Sequence, residues 1–257
     1  MSRVFGVGDR VLLFDAKARR YLVTLAEAGE FHTHAGYVRH GDLLGQPEGT
    51  VVRSTTGARY TAVRPTLAEF ILKMPRGAQV IYPKDLGAII MLADLFPGAR
   101  VLEAGVGSGA LSMTMLRSGA DIVGYELRPD FAARAQANVE AFVGKEAASH
   151  YRVEVRDVYD GIDERDLDRI MLDLPEPWRV VKHAVEALHP GGILLSYLPT
   201  ITQTAQLRNT LDESRFAMAE TIEVLHRSWH IEGLSVRPDH RMVAHTGFLT
   251  HARLLAG

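Results

Sequence analysis

The chain of 257 residues contains no cysteine. Disulfides, thiolate nucleophiles and cysteine-ligated metal sites are therefore excluded within it. No apolar run approaches the roughly 20 residues needed to cross a bilayer. The first ten residues, from Met1 to Arg10, lack the apolar core of a secretory signal, so a cytoplasmic protein is expected. A strong charge of either sign is also missing: 29 Lys/Arg against 31 Asp/Glu leave a net charge of −2, a poor footprint for a polyanion binder taken whole. Internal repeats and low-complexity segments are absent as well.

What is present is unevenly spread. Residues 1–84 hold 12 Lys/Arg and 7 Asp/Glu, whereas the remainder holds 17 and 24. Such asymmetry marks either a polyanion-binding end or ordinary scatter on two solvated surfaces. An apolar fraction of 47% is enough for one large core or two smaller ones.

The first 65 residues read as short strands and turns. Val11–Phe14 and Tyr21–Thr24 flank a polar connection, and 50–53 and 60–63 flank a turn containing Gly57, which gives two hairpins. Pro65 and the segment from Thr66 to Leu72 read as a strand stop followed by a helix start. A boundary is expected between about 65 and 78, separating a small β-rich domain over 1–65 from a linker helix and second domain over 66–257. From Gly87 the rhythm changes to alternating helix and strand, with strands over 100–103, 121–126, 152–155, 169–172 and 192–198. That alternation predicts an α/β fold with a mostly parallel sheet and helices on both faces. Two longer β-like runs, 217–228 and 242–254, predict an antiparallel pair finishing the sheet, with no helix expected between them.

Between the first strand of this region and its helix lies Glu103-Ala104-Gly105-Val106-Gly107-Ser108-Gly109-Ala110. Glycines let the chain turn sharply and let a ligand approach backbone without meeting a Cβ. Gly105, Gly107 and Ala110 fit a dinucleotide fingerprint, and Glu126 ends the next strand, where a ribose-binding acid is expected. That acid position serves NAD and S-adenosylmethionine enzymes alike, since both ligands carry a ribose diol. Glu103 immediately before the loop and Asp157 at the end of the third strand shift the balance toward S-adenosylmethionine. An acidic crevice suits a cationic ligand better than a pyrophosphate.

The most specific segment is Asp173-Leu174-Pro175-Glu176-Pro177-Trp178, directly after an apolar strand. Two prolines in four residues bar both helix and ladder pairing, so the strand stops and delivers Asp173 to the sheet's C-terminal edge. Trp178 just beyond is placed to wall or stack a base. A Pro-rich turn alone would leave a costly carboxylate near an apolar strand without a task.

This segment resembles the Asp/Asn-Pro-Pro-aromatic loop of amino and ring-nitrogen methyltransferases. In this form it resembles the bacterial and archaeal tRNA adenine-N1 methyltransferases that act on position 58 of the T-loop. Other segments agree in order: Phe31–Gly36 with His40 and 42–45, then 81–85, Arg237-Pro238 and 245–249. The resemblance implies a Rossmann-like S-adenosylmethionine-dependent methyltransferase sheet with a small N-terminal RNA-binding β domain. It also implies a tRNA substrate and a homotetramer. It places Glu103, Gly105, Val106, Gly107, Ser108, Gly109, Glu126, Asp157, Val158 and Asp173 around S-adenosylmethionine, with Asp173 and Tyr82 beside the target base. His32, His34 and His40 lack the acidic partners of a metal site, so no metal is expected. His245 and Thr246 either line the base pocket or end a strand. The alternatives are another RNA adenine or a small molecule as acceptor, an NAD-dependent dehydrogenase, and a non-catalytic RNA-binding subunit.

Overall fold

The computed structural model describes residues 4–77 and 79–257. Met1, Ser2 and Arg3, which open the segment read above for a signal, lie outside the described residues. The chain divides between Met74 and Pro75 into two compact units.

Among its described residues the first unit carries six short strands, β1 (Arg10–Asp15), β2 (Arg20–Thr24), β3 (Glu30–Thr33), β4 (Gly36–Arg39), β5 (Val51–Arg53) and β6 (Arg59–Val63), then helix α1 (Leu67–Lys73). Four form an antiparallel sheet in the order β2-β1-β6-β5, while β3 and β4 make a separate hairpin. Val11, Leu13, Tyr60 and Ala62 alternate inward and bury with Phe5, Val38 and Leu43, the period-2 pattern of a half-buried sheet. Thr66 and Glu69 close a reciprocal capping box that starts α1. The helix groups with this unit rather than with the second, because Phe70 stacks under the Arg10 guanidinium and Glu69 pairs with Arg20 of β2.

The second unit follows the order α2 (Pro83–Leu92), β7 (Arg100–Ala104), α3 (Ala110–Arg117), β8 (Asp121–Glu126), α4 (Pro129–Val143), α5 (Lys145–Ala148), β9 (Tyr151–Val155), β10 (Leu167–Leu172), α6 (Val181–Ala187), β11 (Leu188–Leu198), α7 (Ile201–Asp212), β12 (Phe216–Glu223), β13 (Trp229–Glu232), β14 (Ser235–Pro238) and β15 (Phe248–Leu254). Its seven-stranded sheet runs β12-β15-β11-β10-β7-β8-β9. β11, β10, β7, β8 and β9 are parallel, and β15 is antiparallel to both β11 and β12. This is the mostly parallel sheet with an antiparallel closing strand that the alternation predicted. The central strands are buried on both faces, as Ile170, Met171 and Leu172 illustrate, which explains their unbroken apolar runs.

Two elements depart from expectation. Helix α7 stands where none was predicted, its narrow buried stripe being Thr204, Leu207 and Leu211. A small hairpin, β13–β14, interrupts the two C-terminal runs. Strand order reverses between β7 and β10, so their successors depart to opposite sides and a crevice opens at the C-terminal edge. Among the described residues, no helix is long and apolar enough to cross a membrane.

Candidate active site

β7 ends at Ala104 and α3 begins at Ala110, leaving Gly105, Val106, Gly107, Ser108 and Gly109 to turn the chain at the crevice. Gly109 caps α3 in the left-handed region at φ +82°. A Cβ there would lie 3.1 Å from Val139 and 3.2 Å from the Ala135 carbonyl oxygen, so glycine lets the loop close onto α4. Val106 turns its side chain inward against Gly124. Ser108 is also buried, and among the described residues its Oγ has no hydrogen-bond partner. Such a group is normally satisfied, so an orphan at a loop is a place for a missing partner.

Three carboxylates meet this loop, each delivered by a strand end. Glu126 closes β8; its Oε2 accepts from the Gly107 N–H and its Oε1 from the Arg128 N–H, both at 3.0 Å. Asp157 follows β9 and accepts from the Tyr159 N–H at 2.9 Å, capping the turn that holds Val158. Asp173 follows β10, and its N–H donates to the Ala104 carbonyl at 2.9 Å, which ties it to the end of β7. Surrounding protein desolvates the Asp173 carboxyl and Glu126 adds like charge, pushing it up to about 7. Gly105, Gly107, Glu126, Asp157, Val158 and Asp173 line one cavity of about 490 Å³.

The lining also contains residues the sequence reading missed, among them Gln79, Tyr125, Phe131 and Tyr159. Arg128 and Arg156 lie there too, which qualifies the acidic crevice expected above. Each is held over an aromatic ring, Phe131 at 4.0 Å and Tyr125 at 5.0 Å. Each is also paired with its own acid, Asp130 and Asp163, so the three inner carboxylates keep the cleft acidic. The signal for Arg128 was present: it follows Glu126 closely, at the entry to α4.

Other expected residues fall elsewhere. Glu103 lines not that cavity but a narrower recess under the loop, which Gly105, Gly107, Ser108 and Asp173 also line. Its carboxyl is 1% exposed, accepts from Ser112 Oγ at 2.6 Å, and is pushed up to about 8 by burial. Trp178, expected as a wall for a base, instead lines a separate pocket with Lys182 and Glu213 and packs against the core under α6 and α7. The 3-10 turn at Pro177–Val180 swings it off the crevice. Tyr82 caps α2 and contributes, with Asp85 and Asp173, to the surroundings of Tyr197. His245 bonds Glu223 at 2.6 Å and the Pro199 carbonyl at 2.8 Å outside the cavity.

The N-terminal histidines do not converge. His32 pairs with Glu30, His34 lies 3.4 Å from Arg19, and buried His40 accepts from the Ala26 N–H at 3.0 Å. Among the described residues, no group of His, Asp or Glu is arranged to hold a metal ion.

The chain matches the family described as tRNA methyltransferase complex GCD14 subunit over residues 60–237, and TrmI-like N-terminal over 4–52. It is 39% identical over 246 residues to the tRNA (adenine(58)-N(1))-methyltransferase TrmI of Thermus thermophilus, covering 95% of this chain and 96% of the relative. The crystal structure of a SAM-dependent O-methyltransferase from Thermotoga maritima superposes with TM-score 0.94 at 32% identity, covering 99% and 96% of the two chains. That of the tRNA (m1A58) methyltransferase TrmI from Aquifex aeolicus gives 0.87 at 28%, covering 99% and 100%.

Proposed function

From the premise that this chain belongs to the tRNA (adenine-58-N1)-methyltransferase family, we propose that it transfers a methyl group from S-adenosylmethionine to N1 of adenine 58 in tRNA. The observation that carries this reading is one cleft lined by Asp173, Glu126 and the loop glycines Gly105 and Gly107.

The donor set fits S-adenosylmethionine. Both Glu126 oxygens retain a lone pair beyond the backbone bonds they accept, enough for two ribose hydroxyls. Asp157 stands beside Val158 at the adenine end, a Cβ-free path opens at Gly107, and orphaned Ser108 Oγ waits under the loop. The acidic groups of the cleft suit a ligand whose sulfonium and ammonium outweigh its one carboxylate. When bound, that ligand supplies an electrophilic sulfonium methyl group.

Neutral adenine already carries a lone pair at N1, so no strong base is required. Asp173 orients the base by accepting from its exocyclic amine, and its negative charge opposes the positive charge developing on the purine. Tyr82 stands at the start of α2 as a second contact for the base. N1 lies on the Watson–Crick edge, so the nucleotide is extruded, at a cost of roughly a few kcal/mol. The basic N-terminal unit offsets that cost through phosphate contacts.

A cytoplasmic homotetramer belongs to the same proposal. The β13–β14 hairpin leaves Trp229, Ile231 and Val236 exposed, apolar surface that a second copy would cover. The test of the function is incubation with unmodified tRNA and labelled S-adenosylmethionine, then nuclease digestion and mass spectrometry. A methyl at N1 of adenine 58 is expected. A methyl on oxygen, as the name of the Thermotoga neighbour describes for that protein, would overturn the reading.

A further inference from the structure

Two motifs at opposite ends of the second unit meet in a closed polar network. Lys84 and Asp85 open α2, and Thr246 precedes β15. The side chains of Lys84 and Asp85 are 5% and 0% exposed. Lys84 Nζ spends its three donors on Asp85 Oδ1 (2.8 Å), Thr246 Oγ1 (2.6 Å) and the Val224 carbonyl (2.6 Å). Thr246 Oγ1 gives its one proton to Asp85 Oδ2 at 2.6 Å. Every strong partner is used, which a buried ion pair requires if it is not to be costly.

Stability alone does not call for this arrangement, because apolar side chains of similar volume commonly do as well or better at such places. What apolar packing lacks is direction. The Thr246 carbonyl accepts from the Tyr197 hydroxyl at 2.6 Å. The next residue, Gly247, lies so close to the same ring that a Cβ would come within 2.4 Å of Tyr197 Cζ. Thr246 and Gly247 thus hold the phenol by both its oxygen and its face. β10 and β11 are paired with Leu172 opposite Ser196. That register brings together the strand ends bearing Asp173 and Tyr197, and the Asp173 carboxyl is among the groups around the Tyr197 phenol.

We propose that Thr246, anchored by the buried Lys84–Asp85 pair, is a positioning residue of the methyl-transfer site, setting the Tyr197 ring beside Asp173 so that the two bound the target base. This rests on the reading of Asp173 given above. Neither Thr246 nor the ion pair lines the cleft of the loop and Glu126, so disturbing them affects acceptor geometry and leaves donor binding in place.

The test measures kcat and KM for tRNA, the Kd for S-adenosylmethionine and the melting temperature of full-length Thr246→Val and Thr246→Ser. Thr246→Val, which removes the hydroxyl while keeping the shape, is expected to lower kcat by at least about tenfold, since small misplacements in a reacting pair are costly. Its S-adenosylmethionine Kd should stay within about twofold, and Thr246→Ser should recover most of the rate. Near-normal kcat in Thr246→Val, equal damage in the serine variant, or matching loss of donor affinity would each overturn the proposal. Should Thr246→Val fail to fold, Gly247→Ala displaces the ring without touching the ion pair. The same split is expected of it, and an unchanged kcat would overturn the proposal. An unsubstituted enzyme that methylates no tRNA would sink the functional reading itself, and this inference with it, before any variant is compared.

Discussion

Gly105 is seated on the backbone of Asp173: at φ +84°, a Cβ added to Gly105 would come within 2.1 Å of the Asp173 carbonyl oxygen. The obstacle is backbone, which has nowhere to rotate. Gly105→Ala should therefore drive the loop and the carboxylate strand end apart. The left-handed conformation alone costs about 1–2 kcal/mol for a side-chain-bearing residue. Calorimetry should show a lower melting temperature and weakened S-adenosylmethionine binding together. An alanine variant binding S-adenosylmethionine normally would refute this account of the turn.

Asp173→Ala should keep donor binding and lose transfer. Removing one preorganised contact to developing charge typically costs about 2.7–4 kcal/mol of barrier, roughly a hundredfold to a thousandfold in rate. Single-turnover methylation of tRNA, with S-adenosylmethionine affinity measured in parallel, separates the two effects. Turnover within a few-fold of the parent would remove Asp173 from its assigned place.

The pH profile follows from the same residue. Asp173 is held up to about 7 in the free protein, by desolvation first and the Glu126 charge second. Only the carboxylate form carries the negative charge that offsets the charge developing on adenine, so kcat/KM should rise with pH and level off above about 7. Below that, it should fall about tenfold per pH unit. Bound S-adenosylmethionine brings positive charge, so the limb in kcat should lie at lower pH than the limb in kcat/KM. A flat kcat/KM between pH 5.5 and 8, on the order of that window, contradicts the assignment.

Glu103 offers a stability test apart from turnover. Its folded pKa, raised to about 8 from 4.5, means that the folded chain holds a proton that the unfolded chain has lost across that window. Stability therefore falls with rising pH between those values, at about 1.4 kcal/mol per pH unit for a single group. Glu103→Gln keeps an acceptor for Ser112 and removes the titration. In urea unfolding at several pH values, its stability relative to the parent should grow from pH 5 toward pH 8, by about 3–4 kcal/mol. A difference independent of pH would show that Glu103 is ionised in the fold.

For the N-terminal unit, 10 Lys/Arg against 7 Asp/Glu in residues 1–74 predict salt-sensitive tRNA binding. Affinity measured from about 50 to 200 mM salt should weaken by at least about tenfold through loss of counterion release. Affinity insensitive to salt would argue against phosphate contacts by this unit.

Much of the architecture was legible because local pattern dictates it. Strands β7, β8 and β10 announce themselves as buried apolar runs ended by glycine or acid, and the hairpins β1–β2 and β5–β6 as alternating segments around turn residues. Helix α7 escaped notice because its sequence is largely polar, with Leu207 and Leu211 as its large buried apolar residues. Its signal was the cap instead: Thr200 accepts from the Gln203 N–H at 3.3 Å. The β13–β14 hairpin turns at Gly233, at φ +55°, inside what read as irregular sequence.

By itself the sequence determined the loop, the strand ends and the acids placed at them, since strand period, glycine spacing and proline geometry act over a few neighbouring residues. It did not determine which acid opens to the cleft: Glu103 and Glu126 both sit in strand ends, yet one is buried against Ser112 and the other lines the cleft. Only packing decided that, as it decided that Trp178 turns toward α6 and α7, and that Lys84 and Asp85 meet Thr246. Side-chain direction and long-range pairing depend on what surrounds a residue after the chain closes, and local spacing carries no record of it.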